Sequence, residues 1–401
     1  MHGPSSAVTA AAGEPARHEV ADIVHAYGAA YRLRHGVSPV QAVALGAIER
    51  CRTAALGGHV EACDACGARQ IAYNSCRNRH CPKCQGAARA KWLAAQHAAL
   101  LPVEYFHIVF TLPHALNALL RVNPRRLYAL LFRAAAATLQ SFARDPRHLG
   151  AELGITAVLH TWGQNLAQHV HVHCVVTGGG LSPDGQHWVS ARAGFLFPVR
   201  ALSQVFRGKF LAGLCQLRAR NVLRFAGHSA PLAGEHAWSV WLRELRTTDW
   251  VVYAKPPFGG PERVLKYLSR YPHRVAIANH RIVSIEDGVV CFRWRDYAHH
   301  NQVKVMALPA EEFLRRFLLH VVPSGFVRIR HFGVLANRHR AAKLARCRRL
   351  LTPTREVDPC DSAAPSAGAS GSGAEPKHCP VCGGGPLRII EILAPLRGVP
   401  P

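Results

Sequence analysis

Gln168-His169-Val170-His171-Val172-His173-Cys174-Val175-Val176-Thr177-Gly178-Gly179-Gly180 is the stretch from which the rest of the chain can be read. Histidines alternate with valines, and a period of two in a β-branched run predicts a strand. His169, His171 and His173 then share one face, and the valines line the other. Same-face neighbours lie roughly 6.5–7 Å apart at a rise of about 3.3 Å per residue, so two imidazoles can converge on one divalent ion. The plain alternative is a histidine-rich, half-solvated strand that holds no ion. The three glycines let the backbone turn sharply or approach a ligand closely, or they simply loosen the strand end.

Working outward, residues 105–112 and 155–162 predict strands, the second carrying His160, and 127–142 is apolar enough for a buried helix. Residues 195–224 read as a basic helix, and 250–254 as a strand closed by Pro256-Pro257. Proline at the first position starts a helix at Pro261, and Tyr267 and Tyr271 sit four apart on it, nominally on one face. Pro272 disfavours helical backbone at Tyr271, so the second hydroxyl is the less certainly placed. Lys266, Arg270, His273 and Arg274 surround the pair with charge that suits phosphates. Glu286-Asp287-Gly288 between two apolar runs is a hairpin signal. A strand at 303–308, a helix at 311–321 and a basic strand-to-helix segment at 326–351 complete the pattern.

The formal charge of +25 over 401 residues points to a polyanionic partner, nucleic acid first, because phosphate contacts release counterions. The basic residues are spread through globular segments rather than gathered on one amphipathic helix, which argues against a membrane surface. No apolar run approaches the ~18–20 residues of a bilayer span. Residues 1–17 are Ala, Gly, Ser and Pro with no secretory pattern, so the expectation is a disordered leader and a cytoplasmic, nucleoid-associated protein.

Thirteen cysteines in such a chain suggest zinc rather than disulfides. Cys63-Asp64-Ala65-Cys66 and Cys81-Pro82-Lys83-Cys84 are two knuckles, and joined they predict one structural zinc held by Cys63, Cys66, Cys81 and Cys84. Cys51, His59, Cys76 and His80 remain as a second zinc set, or as buried residues without metal. Arg77 and Arg79, beside the cluster, are candidates for DNA contact. Residues 352–377 form a linker by composition. Cys379 and Cys382 make a last knuckle in a 378–401 tail, half a site completed by Cys347 or Cys360, or a vestige.

Several of these stretches together resemble the transposases of the IS91 family, which are HUH enzymes of rolling-circle transposition. The likeness runs from Cys51-Arg52-Thr53 through Tyr73-Asn74-Ser75-Cys76-Arg77-Asn78-Arg79-His80-Cys81-Pro82-Lys83-Cys84, His160-Thr161-Trp162-Gly163, His171-Val172-His173-Cys174, Lys255 to Glu262, Tyr267-Leu268-Ser269-Arg270-Tyr271 and Phe292-Arg293-Trp294-Arg295-Asp296-Tyr297. It implies an α+β fold: a helical and zinc-binding domain over 18–100, then an antiparallel-sheet HUH nuclease domain over 104–325. It also implies nicking and rejoining of single-stranded DNA at the ends of a mobile element through a 5′-phosphotyrosine intermediate. His171 and His173 would hold magnesium or manganese with His160 as third ligand, and His169 and Gln164 in reserve. Nitrogen ligands alone would suit zinc as well. Tyr267 and Tyr271 would be the nucleophiles.

Two other readings use the same residues. A non-catalytic zinc-finger regulator explains the charge and cysteines but leaves the histidine strand and tyrosines without a task. A replication initiator or relaxase would share the chemistry, although relaxase tyrosines commonly precede the histidine strand and here they follow it. A carboxylate-based transposase fits poorly, since Asp and Glu total only 24 and Asp184 lies in a Ser182-Pro183-Asp184-Gly185 turn.

Overall fold

The computed structural model describes residues 18–258, 263, 276–296, 299–352 and 378–396, with the side chains of 85–89 and 256–258 outside that description. In chain order the elements are α1 (Val20–His35), α2 (Pro39–Arg50), β1 (Gly58–Cys63), β2 (Arg69–Tyr73), α3 (Gln85–His97), β3 (Tyr105–Thr111), α4 (Asn117–Val122) and α5 (Pro124–Arg144). Then come β4 (Glu152–Trp162), β5 (Gln168–Leu181), β6 (Trp188–Ser190), α6 (Val199–Ala219), α7 (Glu235–Thr247), β7 (Val252–Phe258), β8 (Ile282–Glu286), β9 (Val289–Asp296) and β10 (Gln302–Pro309). The chain closes with α8 (Ala310–Leu318), β11 (Ile329–Gly333), α9 (Arg340–Leu351) and β12 (Leu387–Leu393). This is the expected α+β class, with every strand pairing antiparallel.

The histidine strand is β5, and it lies inside the largest sheet, ordered β11-β4-β5-β3-β7 with β6 paired to β5. Alternation decides its two faces. Val170, Val172, Cys174 and Val176 join Phe106, Ile108 and Phe110 of β3 and Ile155, Ala157 and Leu159 of β4 in one core. Helices α5 and α6 close that core with Leu127, Leu131, Phe132, Phe206 and Phe210, all essentially without solvent contact. The opposite face is left for His169, His171 and His173. Prolines 256 and 257 do not end β7 as expected, because β7 is an edge strand, where a missing N–H breaks no ladder.

Two further differences concern ends. β5 does not turn at its glycines but runs through them to Leu181. A Cβ there would stand 2.9 Å from the Glu104 carbonyl oxygen at Gly178, 2.6 Å from that of Val189 at Gly179 and 2.5 Å from that of Glu152 at Gly180. The glycines therefore admit neighbouring backbone rather than a ligand. The sheet also extends past the expected nuclease boundary at 325, since β11 pairs with β4 from Ile329↔Val158 to Gly333↔Gly154.

A second sheet, β10-β9-β8, is built on the expected hairpin: Asp287 and Gly288 have φ of 48° and 76°, the two left-handed positions of a type I′ turn. Its Val290 and Phe292 pack with Phe313, Leu314 and Phe317 of α8 and with Val20, Ile23 and Val24 of α1 and Leu45 and Ile48 of α2. The first two helices of the 18–100 segment thus share a core with residues 276–321. Both N-terminal helices start on capping boxes, Glu19 with Asp22 and Ser38 with Gln41. The third sheet, β12-β1-β2, joins the tail to the cysteine-rich region, a pairing that nothing in the expected domain order anticipates.

Candidate active site and metal centres

Strand register assembles the histidine centre. His160 of β4 lies opposite His171 of β5, and Val158 opposite His173. Directly opposed residues share a face, so His160, His171 and His173 converge, and their ring nitrogens lie within 4.8 Å of one another. The His160 ring meets those of His173 and His171 at centroid distances of 4.5 and 5.3 Å, and Trp162 stacks on its far side at 4.7 Å. The structure thus brings His160 together with His171 and His173. His169 stands aside from the group, paired with His114 at 3.3 Å, and Gln164 lies in the β4–β5 loop.

Hydrogen bonds orient the rings. His171 Nδ1 is 2.9 Å from the His169 carbonyl oxygen, which can only accept, so that nitrogen carries the proton and Nε2 keeps its lone pair. His171 Nε2 and His173 Nε2 are 3.0 Å apart. His173 Nδ1 is 2.8 Å from Nε2 of His107, which neighbours it on β3. With a cation between the Nε2 atoms, the His173 proton belongs on Nδ1, and His107 Nε2 accepts it. Burial, Lys255 and His171 push His107 down to about 3, so it is neutral at neutral pH. Burial and His169 hold His171 at about 4, against the hydrogen bond to the His169 carbonyl. Neutral imidazoles are the form that binds metal.

Sequence reading alone missed His107, because its role depends on which strand lies beside β5. It also missed Tyr253, which is half exposed and stands on the histidine face in register with Val109 and, one strand further, His173. Tyr267, Tyr271, Lys266, Arg270 and Arg274 lie outside the described residues.

The cysteines assemble differently from the expected sets. Cys51, Cys76, Cys81 and Cys84 form one foursome, and Cys63 and Cys66 join Cys379 and Cys382 in another. The expected Cys63-Cys66-Cys81-Cys84 cage is thus divided. Cys51 ends α2, Cys76 lies in the loop after β2, and the Cys81–Cys84 knuckle runs directly into α3, so these four meet in the core against α1 and α2. The knuckle at Cys63 sits at the far end of β1. His59 and His80 belong to neither group. His59 pairs with Glu61 at 3.1 Å, and His80 is buried and pushed to about 3 by burial and by Arg328 and Arg79. Cys347 lies in an apolar cluster with Leu101, Leu181 and Leu344, and Cys360 is outside the described residues. Arg77 is exposed, whereas Arg79 is half-buried and donates to the Phe326 carbonyl.

Known protein families match the chain in two regions. Residues 23–112 match the family described as "Transposase zinc-binding domain", and residues 154–343, which contain the histidine centre, match the one described as "Putative transposase". The chain is 53% identical over 387 residues to "Putative transposase y4qJ" of Sinorhizobium fredii, covering 95% of this chain and 97% of that one. It is 30% identical over 304 residues to "Transposase for insertion sequence element IS801" of Pseudomonas savastanoi pv. phaseolicola, covering 72% and 68%. No described helix is long and apolar enough to cross a membrane. Matched in both its cysteine-rich and its histidine-bearing regions, the chain belongs to the IS91 family of transposases, DNA-processing enzymes with a zinc-binding domain.

Proposed function

We propose that this transposase nicks and rejoins single-stranded DNA at the ends of its element, in rolling-circle fashion, through a 5′-phosphotyrosine intermediate. The observation that carries the proposal is the convergence of His160, His171 and His173 on the sheet face opposite the core, with a lone pair freed on His171 Nε2. Three converging imidazoles, in their neutral form, would fit a divalent ion, magnesium or manganese in this reading, which would polarise the scissile phosphate. The His169 carbonyl fixes the His171 tautomer that points a nitrogen lone pair at that position, and His107 Nε2 would accept the His173 proton with the ion bound.

Tyr267 or Tyr271 supplies the nucleophile in this reading. Tyrosine ionises near pH 10, so its oxygen must lose a proton as it attacks phosphorus. The bond from phosphorus to the 3′ oxygen breaks, that oxygen takes up a proton, and the 5′ phosphate stays on the tyrosine. Rejoining is the reverse: a 3′-hydroxyl attacks, and tyrosine leaves with its proton restored. Arg77, Lys266, Arg270 and Arg274 would hold the flanking phosphates.

The test is a denaturant-stable adduct on single-stranded oligonucleotides from the element's ends, with manganese or magnesium added. Wild-type protein should form it, His171→Ala and His173→Ala should lose it by at least about 100-fold while still binding DNA, and His160→Ala should behave like them. Tyr267→Phe or Tyr271→Phe should abolish it, the first more completely because Pro272 adjoins Tyr271. An adduct surviving in the double tyrosine variant would overturn the assignment of the nucleophile. Binding without cutting under any ion would favour a regulator.

A further inference from the structure

The knuckle at Cys379 and Cys382 lies outside both matched regions, which end at residues 112 and 343. Its surroundings are nevertheless ordered around four sulfurs. Cys63 Sγ is 3.6 Å from Cys382 Sγ, Cys66 Sγ is 3.7 Å from Cys379 Sγ, and all four lie within 4.8 Å of one another. A tetrahedron with zinc–sulfur bonds of about 2.3 Å has edges of about 3.8 Å, whereas a disulfide would bring two sulfurs to about 2.05 Å.

The two knuckles have the same backbone. Gly67 N–H donates to the Cys63 carbonyl at 3.0 Å, and Gly383 N–H donates to that of Cys379 at 2.8 Å. Both glycines sit at positive φ, 71° and 70°. The Val381 N–H points at Cys379 Sγ at 3.4 Å, as amides do around a thiolate. Gly385 lets the tail lie against the first knuckle, since a Cβ there would stand 2.6 Å from Cys63 Sγ. Beyond it β12 pairs with β1, Cys63 opposite Leu387 and Gly58 opposite Leu393. Yet β12 is largely exposed, with Ile392 at 83% and Ile389 at 57%, so little apolar burial holds it in place.

From this geometry we infer that Cys63, Cys66, Cys379 and Cys382 bind a zinc ion that fastens the C-terminal tail to the N-terminal zinc-binding domain. This site is separate from the Cys51-Cys76-Cys81-Cys84 centre and from the histidine centre. The tail is then a strand whose attachment depends on metal, and the zinc-binding domain is completed from the other end of the sequence.

Zinc content of the purified full-length chain tests the assignment. Cys379→Ser/Cys382→Ser should carry one zinc fewer per chain than the parent, and so should Cys63→Ser/Cys66→Ser. All four substitutions together should also cost one, because both pairs serve one ion. Unchanged zinc in the tail variant, or a loss of two in the fourfold variant, would overturn the site. A second experiment keeps every cysteine. With a specific protease site introduced into the 353–377 segment and cut, the tail fragment should co-elute with the body and separate once a chelator removes zinc. A tail that leaves while zinc is present, or stays after all zinc is gone, would show that the metal does not hold it.

Discussion

His107 shows how much one neutral side chain can decide. It offers no carboxylate or charge, only a nitrogen 2.8 Å from His173 Nδ1, yet that contact selects which His173 nitrogen faces the centre. Under the metal-dependent function proposed above, removing it should loosen a divalent ion rather than abolish the chemistry. His107→Leu is expected to weaken manganese binding by about 10–100-fold, the usual effect of losing a partner behind a metal-bound imidazole. His107→Gln, whose side-chain oxygen can accept the same proton, should recover part of it. Titration of manganese by calorimetry distinguishes the two, and equal affinities in wild type and His107→Leu would mean that the ring is only filling space. Arg79 is an opposite case, since a residue that reads as a phosphate contact is engaged with the Phe326 carbonyl.

At the level of elements, β5 works because its two faces are solvated and packed by different neighbours. The packed face depends on α6, whose Phe206 meets Phe110 of β3 at 4.9 Å and Trp250 at 5.4 Å between ring centroids. Phe206 has no solvent contact, so Phe206→Ala leaves a cavity beneath the strand next to β5 and should cost about 3–5 kcal/mol of stability. Urea denaturation followed by tryptophan fluorescence measures this. A loss below about 1 kcal/mol would show that the helix layer can collapse onto the gap. β11 illustrates a different constraint: Gly333 holds φ of 63°, and a Cβ there would lie 1.8 Å from the Leu153 carbonyl oxygen, so the edge strand closes on β4 only with glycine.

For the whole molecule, histidines whose pKa is lowered by folding weaken the fold in acid. Burial, with Arg340, pushes His331 down to about 4, and burial likewise holds His320 at about 4. In the unfolded chain both titrate near 6.5, so between those values the unfolded state binds more protons. Stability from these groups is therefore fully present above about pH 6.5 and falls as the pH drops toward about 4. Melting temperature should be lower at pH 5 than at pH 7.5. A rise on acidification would contradict the neutral, buried state of these rings.

What the sequence determined by itself is whatever depends on local periodicity and local chemistry. The alternation of 168–177 makes a strand with a histidine face, Asp287-Gly288 makes a hairpin, and the C-x-x-C spacing makes knuckles, because each rests on geometry within a few residues. His160 is singled out by the family resemblance, and strand register brings it to His171. Which knuckle meets which was decided only in three dimensions, since thiolates are chemically alike and a metal accepts any four that the backbone brings together. One sequence signal did exist: a glycine follows Cys66 and Cys382 but not Cys84, and it marks the left-handed turn that the first two share. His107 and Tyr253 carried no such mark. His107 reaches the centre because β3 lies beside β5, and Tyr253 shares that face because β7 lies beside β3, long-range pairings that bury one apolar face and that no local pattern encodes.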